Sequence, residues 1–228
     1  MKIKMNKKPI VISLGGSIVV PDEIDVDFLK KFRQLILKIV KTRKVILIIG
    51  GGKTCRKYQK AASSAAKLKD EDIDWLGIHA TRLNAQLLKI IFKDYCHKEV
   101  IHNPTEKVDF KEKILVASGW KPGHSTDYDA VLLANNFGAR EVINVTSIGY
   151  VYDKDPRIKG AKKITKLNWK QMRDIVGSKW KPGMNVPFDP VACIGAERMK
   201  LKVIIAGKNI KNLENIFAGK KFEGTIIE

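Results

Sequence analysis

The chain has 228 residues, 44% of them hydrophobic, and 43 Lys and Arg against 24 Asp and Glu leave a formal net charge of +19. No apolar stretch approaches the roughly 18 residues of a membrane span, which argues against a helical membrane protein. Cys55, Cys96 and Cys193 are odd in number and lack CxxC or Cys/His spacing, which argues against a disulfide framework and a zinc site.

The start, Met1 to Lys8, is lysine-bearing, but the apolar run Ile10 to Ile12 behind it ends at once in a double glycine. No signal peptide is expected, and we place the protein in the cytoplasm. Ile10 to Leu14 and Val45 to Ile49 read as buried parallel strands, each entering a glycine cluster, at Gly15-Gly16 and Gly50-Gly51-Gly52. Between them Phe28, Phe32, Leu35, Ile36 and Ile39 recur at helical spacing, so the three segments form a βαβ unit. Helices are expected over Cys55 to Leu68 and Ile73 to Phe92, the second with Leu83, Leu87, Ile90 and Ile91 along one stripe. A strand at Ile114 to Val116 runs into the loop Ser118 to Thr126, with a helix from Asp127 to about Phe137 and caps available at Ser125, Thr126 or Asp127. Val142 to Thr146 and Lys202 to Ala206 are further strands, and Trp169 to Val176, Pro190 to Met199 and Leu213 to Phe217 further helices. The stretch from Ser178 to Pro187 reads as an irregular loop or lid.

Strands alternating with helices predict one α/β domain over residues 1–228. Its architecture is a three-layer sandwich with an open, mostly parallel central sheet, and ligands in such sheets bind beyond the carboxyl ends of the strands. The cluster Gly50 to Thr54 is not a P-loop, because the glycine required five residues before Gly52 is Leu47. It is not a dinucleotide fingerprint either, because the third glycine would fall on Cys55. What remains is general: glycines at a strand-to-helix turn let backbone N–H groups reach an anion. Two such turns suit a phosphate donor and a phosphate acceptor. The lysines are spread along the chain and no aromatic stacking surface interleaves with them, so nucleic acid is not the expected partner.

The segments Ile12 to Ser17, Gly50 to Lys53 with Arg56, Asp74 to Ile78 with Thr81 to Asn84, Pro122 to Asp127, Thr146 to Pro156 and Asp189 to Ala192 stand in an order and spacing that resemble archaeal-type UMP kinases of the amino acid kinase family. The resemblance covers nearly the whole chain. It implies the amino acid kinase (carbamate kinase-like) fold and ATP-dependent phosphorylation of UMP to UDP in pyrimidine nucleotide biosynthesis. It also implies direct in-line transfer with Mg²⁺ accompanying ATP, and a homo-oligomer, a hexamer by analogy. By it Gly16, Ser17, Gly52, Arg56, Thr146, Ser147, Tyr152 and Asp155 would contact ATP, with Arg56 acting catalytically. Gly51, Asp74 and the loop Trp120, Lys121, Pro122, Gly123, His124, Ser125 and Thr126 would hold UMP, with His124 binding rather than catalysing. No protein-held metal is implied. An aspartate such as Asp74 can accept from ribose hydroxyls, and the Arg56 guanidinium suits phosphate.

Two positions depart from the pattern. Ser13 stands where many amino acid kinases have a lysine, which leaves Arg56, Lys53, Lys121 and Lys154 as candidate phosphate cations. Ser147-Ile148-Gly149-Tyr150 replaces a common Asn-Val-Asp-Gly. The alternatives are another small-molecule kinase of the same fold and a catalytically weak nucleotide- or RNA-binding protein.

Overall fold

A computed structural model describes residues 7–177 and 186–228. The apolar runs form β1 (Lys7–Leu14), β2 (Arg43–Ile49), β3 (Ile114–Ala117), β4 (Glu141–Val145) and β8 (Lys202–Ala206). Shorter strands that the sequence does not announce are β5 (Val151–Tyr152), β6 (Lys163–Ile164), β7 (Lys166–Leu167) and β9 (Thr225–Ile227). The helices are α1 (Gly16–Val19), α2 (Val26–Ile39), α3 (Gly52–Ala65), α4 (Asp70–Ile91), α5 (Thr126–Asn136), α6 (Trp169–Val176), α7 (Pro190–Arg198) and α8 (Ile210–Phe217). The stretch from Ser178 to Pro187, read as a loop or lid, lies outside the described residues except for Val186 and Pro187.

A seven-stranded sheet runs in the order β3-β2-β1-β4-β8-β9-β7, parallel except where β9 lies antiparallel to β8. Side chains of a strand alternate between faces, and here the alternation separates two cores. Ile10, Ile12, Leu14, Val45, Leu47 and Ile49 pack with Phe28, Phe32 and Leu35 of α2, Leu88 of α4 and Leu213 of α8. Val11, Ile46 and Ile48 pack on the other face with Val131 and Leu133 of α5, Met172 of α6 and Cys193 of α7. Helices on both faces explain why these strands are apolar throughout rather than alternating with polar residues.

The helix ends differ in a way that matters for the site. Asp25, Ser125, Asn168, Asp189 and Asn209 cap α2, α5, α6, α7 and α8 by accepting a backbone N–H with their side chains. By contrast α1 and α3 begin on Gly15 and Gly51 and have no side-chain cap. The apolar stripe of α4 lies away from the core. Leu83 and Ile90 are each 65% exposed, and Leu87 and Ile91 only flank the core. The buried face runs instead through Ile78, Thr81, Ala85, Leu88 and Phe92. Small residues at 81 and 85 let the helix lie close to the sheet, which turns its bulkier stripe outward.

Candidate active site at the carboxyl ends of the strands

β1 and β2 pair in parallel up to Leu14↔Ile49, so the two glycine clusters leave the sheet side by side. They touch. A Cβ on Gly16 would stand 2.1 Å from the Gly52 nitrogen and 2.6 Å from the Gly50 carbonyl, and Gly52 itself has φ +66°. Side chains are excluded there by backbone, which is the physical reason for glycine at both turns. β2 and β3 lie on one side of β1, and β4 and β8 on the other. Beyond this change of direction opens a cleft of about 630 Å³, lined by Gly15, Gly50, Gly119 and Thr146 just past the ends of β1, β2, β3 and β4. The first residues of α1, α3 and α5 (Gly16, Gly52 and Thr126) also line it.

Arg56, one turn into α3, lines the cleft and donates from Nη1 to Ser17 Oγ at 3.3 Å. The other candidate cations are occupied or elsewhere. Lys53 forms an ion pair with Asp22, whose carboxyl is held below its usual range mainly by that hydrogen bond. Lys121 Nζ stands 4.0 Å from the centroid of the Trp120 ring, and Lys154 is not among the lining residues.

The loop after β3 is fastened by side chains from two helices. Gly119 N–H donates to Thr81 Oγ1 at 2.8 Å, and Gly123 N–H to Asp74 Oδ2 at 3.0 Å, both on α4. Trp120 N–H donates to Asp129 Oδ2 on α5 at 3.1 Å, and Ser125 Oγ accepts from Tyr128 N–H to start that helix. Asp74 therefore joins α4 to the loop across one wall of the cleft.

The sequence pattern of the amino acid kinase family matches residues 8–207. The chain belongs to that family. It is 37% identical to the uridylate kinase of Thermoplasma volcanium over 223 residues, 96% of this chain and 97% of the relative. It is 36% identical to that of Pyrococcus abyssi, over 96% of this chain and 99% of the relative. The crystal structure of uridylate kinase from Archaeoglobus fulgidus superposes with a TM-score of 0.84 at 32% identity, covering 97% of this chain and all of that one.

For a member of the amino acid kinase family, the cleft gathers most of the residues singled out from the sequence. Gly16, Ser17, Gly51, Gly52, Arg56, Asp74, His124, Ser125, Thr126, Thr146 and Ser147 all line it. Trp120, Lys121, Pro122 and Gly123 lie in the loop but not on the lining, and Tyr152 and Asp155 stand apart from it. Tyr152 is on the β5–β6 hairpin, and the exposed carboxyl of Asp155 is held down to about 2 by hydrogen bonds from Arg157. Sequence reading missed Cys55, Gln59 and Gly77, which line the cleft from α3 and α4, and Asn144, whose side-chain amide donates to the Pro187 carbonyl. For Cys55 and Gln59 the signal is helical: they stand at i and i+4 behind the glycine turn, on one side of α3. Gly149 also has a local cause, since a Cβ there would stand 2.9 Å from the Gly207 nitrogen.

Asp127, in the first turn of α5, also lines the cleft. Its carboxylate accepts from Ser13 Oγ and from the Asp189 N–H, each at 3.3 Å. Enclosure by protein and then the neighbouring Asp189 charge push it from 3.8 up to about 7. A raised acid favours the fold while protonated. Its contribution is fully present below 3.8, declines as the native state holds a proton the unfolded chain has lost, and is gone above about 7. The melting temperature of Asp127→Asn is therefore expected to fall less than that of the native protein across this window, read by calorimetry. Equal slopes would contradict the assignment.

Proposed function

We propose that residues 1–228 act as one domain that transfers the γ-phosphoryl group of ATP to UMP, in the cytoplasm where both nucleotides are found. The observation that carries the reading is the contact between the two glycine turns. It brings two uncapped helix starts, at Gly16 and Gly52, to one point of a single cleft. Donor and acceptor phosphates both need N–H groups and positive helix ends, and adjacency is what transfer between them requires. The two relatives and the solved structure described above are named uridylate kinases.

A phosphate acceptor already carries an anionic oxygen, so no strong base is called for, and catalysis reduces to alignment and charge neutralisation. Ser17, Thr146 and Ser147 face the donor side. Arg56 stands beside Ser17, placed to neutralise the equatorial oxygens, while Asp74 and the loop 120–126 hold the nucleoside monophosphate. Around Ser17, Asp127 and Thr146 the side-chain donors are oxygens, the ligand class that Mg²⁺ takes, and they fit an ion held chiefly by ATP. Bound there, Mg²⁺ would neutralise phosphate charge.

Asp74 provides the test of acceptor placement. Asp74→Ala is expected to weaken UMP binding about tenfold or more, through the lost carboxylate hydrogen bonds, and to leave ATP binding unchanged by titration calorimetry. Equal effects on both ligands would contradict it. We further propose a homo-oligomer in which the outward Leu83, Leu87 and Ile90 stripe of α4 meets a second copy. Light scattering should then give a multiple of the chain mass, and a monomer at working concentration would refute this.

A further inference from the structure

Asp129 is fully buried, does not line the cleft, and is not among the residues the family resemblance assigns a role. It sits in the first turn of α5, its N–H donating to the Ser125 carbonyl at 3.0 Å. Its carboxylate turns back under the loop. Oδ2 accepts from the Trp120 N–H at 3.1 Å, and Oδ1 lies 3.3 Å from His124 Nδ1. One carboxylate thus grips the loop at two points four residues apart. The His124 ring is wedged between two aromatics, with centroids 4.9 Å from Trp120 at 81° and 4.9 Å from Tyr128 at 43°. His124, unlike Asp129, reaches the cleft.

We propose that Asp129 is a positioning residue for the acceptor: it fixes the course of the loop through Trp120 and holds the His124 ring with Nδ1 toward itself and Nε2 free for the acceptor. This rests on the reading of residues 120–126 as the acceptor loop. The chemistry is that of a carboxylate behind a functional imidazole, where the partner sets the tautomer and the ring orientation. With both oxygens of Asp129 accepting, Nδ1 carries the proton on its side. Asp189, by comparison, caps its own helix α7 by accepting from the Ala192 N–H. For α5 that role is already filled by Ser125.

Asp129→Asn has nearly the same shape but only one acceptor oxygen, and its NH₂ must face one of the two donors. Without ligand, ¹⁵N NMR is expected to show one of two changes in the variant. Either His124 shifts to the Nε2–H tautomer, or the Trp120 amide loses its hydrogen bond and exchanges faster. In steady-state kinetics KM for UMP should rise about tenfold while KM for ATP stays within twofold. Native ring and amide signals in the variant, or an unmoved KM for UMP, would overturn the proposal. Fast exchange of the Trp120 amide in the unaltered protein would overturn it as well, and that measurement needs no variant. If the unaltered protein does not phosphorylate UMP, the functional reading fails by itself, while the NMR comparison still decides what Asp129 does to the loop.

Discussion

Replacing Arg56 with alanine is expected to lower kcat by about 10²- to 10³-fold while KM for UMP and ATP changes only a few-fold. The expectation follows from where the positive charge is. The chain carries a net +19, yet of the candidate cations Arg56, Lys53, Lys121 and Lys154 it is Arg56 that lines the cleft. Lys53 is paired with Asp22, and Lys121 lies over Trp120. Ser13 supplies no charge, and its hydroxyl is directed to Asp127. On the proposed reading, charge developing on the transferred group would fall to Arg56 and the helix starts, together with the Mg²⁺ that would accompany ATP. Because a guanidinium reaches two oxygens at once and an ammonium one, Arg56→Lys should recover only part of the rate. An alanine variant with native kcat would mean that a cation outside the cleft moves in on ligand binding.

Gly16→Ala should be the most damaging single methyl among the described glycines. The added carbon would sit 2.1 Å from one backbone atom and 2.6 Å from two others. None of them can swing away as a side chain could. Either the ends of β1 and β2 part or the glycine turns lose contact, and both outcomes dismantle the proposed phosphate site. Overpacking against backbone is expected to cost about 4 kcal/mol or more, roughly 10 °C in melting temperature for a chain of this size, with activity abolished. Gly138→Ala is the control. Its φ of +65° is unfavourable for alanine, but nothing lies within 4 Å of the new carbon, so only about 1 kcal/mol of backbone strain is expected and activity should be retained. Equal losses for the two variants would show that the close approach at Gly16 is not what demands glycine there.

The architecture was legible because its strong signals are long and redundant. β1, β2, β4 and β8 are apolar runs buried on both faces, and the helix expected over Trp169 to Val176 has those bounds, with Asn168 capping it. β5, β6 and β7 span two residues each and β9 three. No periodicity can develop over that length: β9 and β7 extend the sheet beyond β8, while β5 and β6 pair only with each other. The α4 stripe shows a different limit. Periodicity identified a helix, but Leu83 and Ile90 face outward and the sheet is met through Thr81, Ala85 and Leu88, since close packing selects small residues as readily as large ones.

The site divided in the same way. Glycine turns followed by helices could be read as anion cradles before any strand pairing was known, and Asp74 and the loop 120–126 followed from the resemblance. Gly77 and Asn144 carry no such signal, because they join the site only when α3 packs on α4 and β4 lies beside β1. Asp129 was hidden for a related reason: it touches no ligand surface and acts through Trp120 and His124.

The most direct measurement is ADP release from Mg-ATP by the purified protein, with UMP, CMP, dTMP, AMP and GMP and a set of small carboxylate and phosphate acceptors supplied one at a time. UMP should give the highest kcat/KM by at least tenfold, with UDP as product, if the cleft couples a phosphate cradle to a nucleoside loop as proposed. Background ADP release with UMP, or a clear preference for a carboxylate or another phosphate, would contradict the assignment of this cleft to UMP phosphorylation.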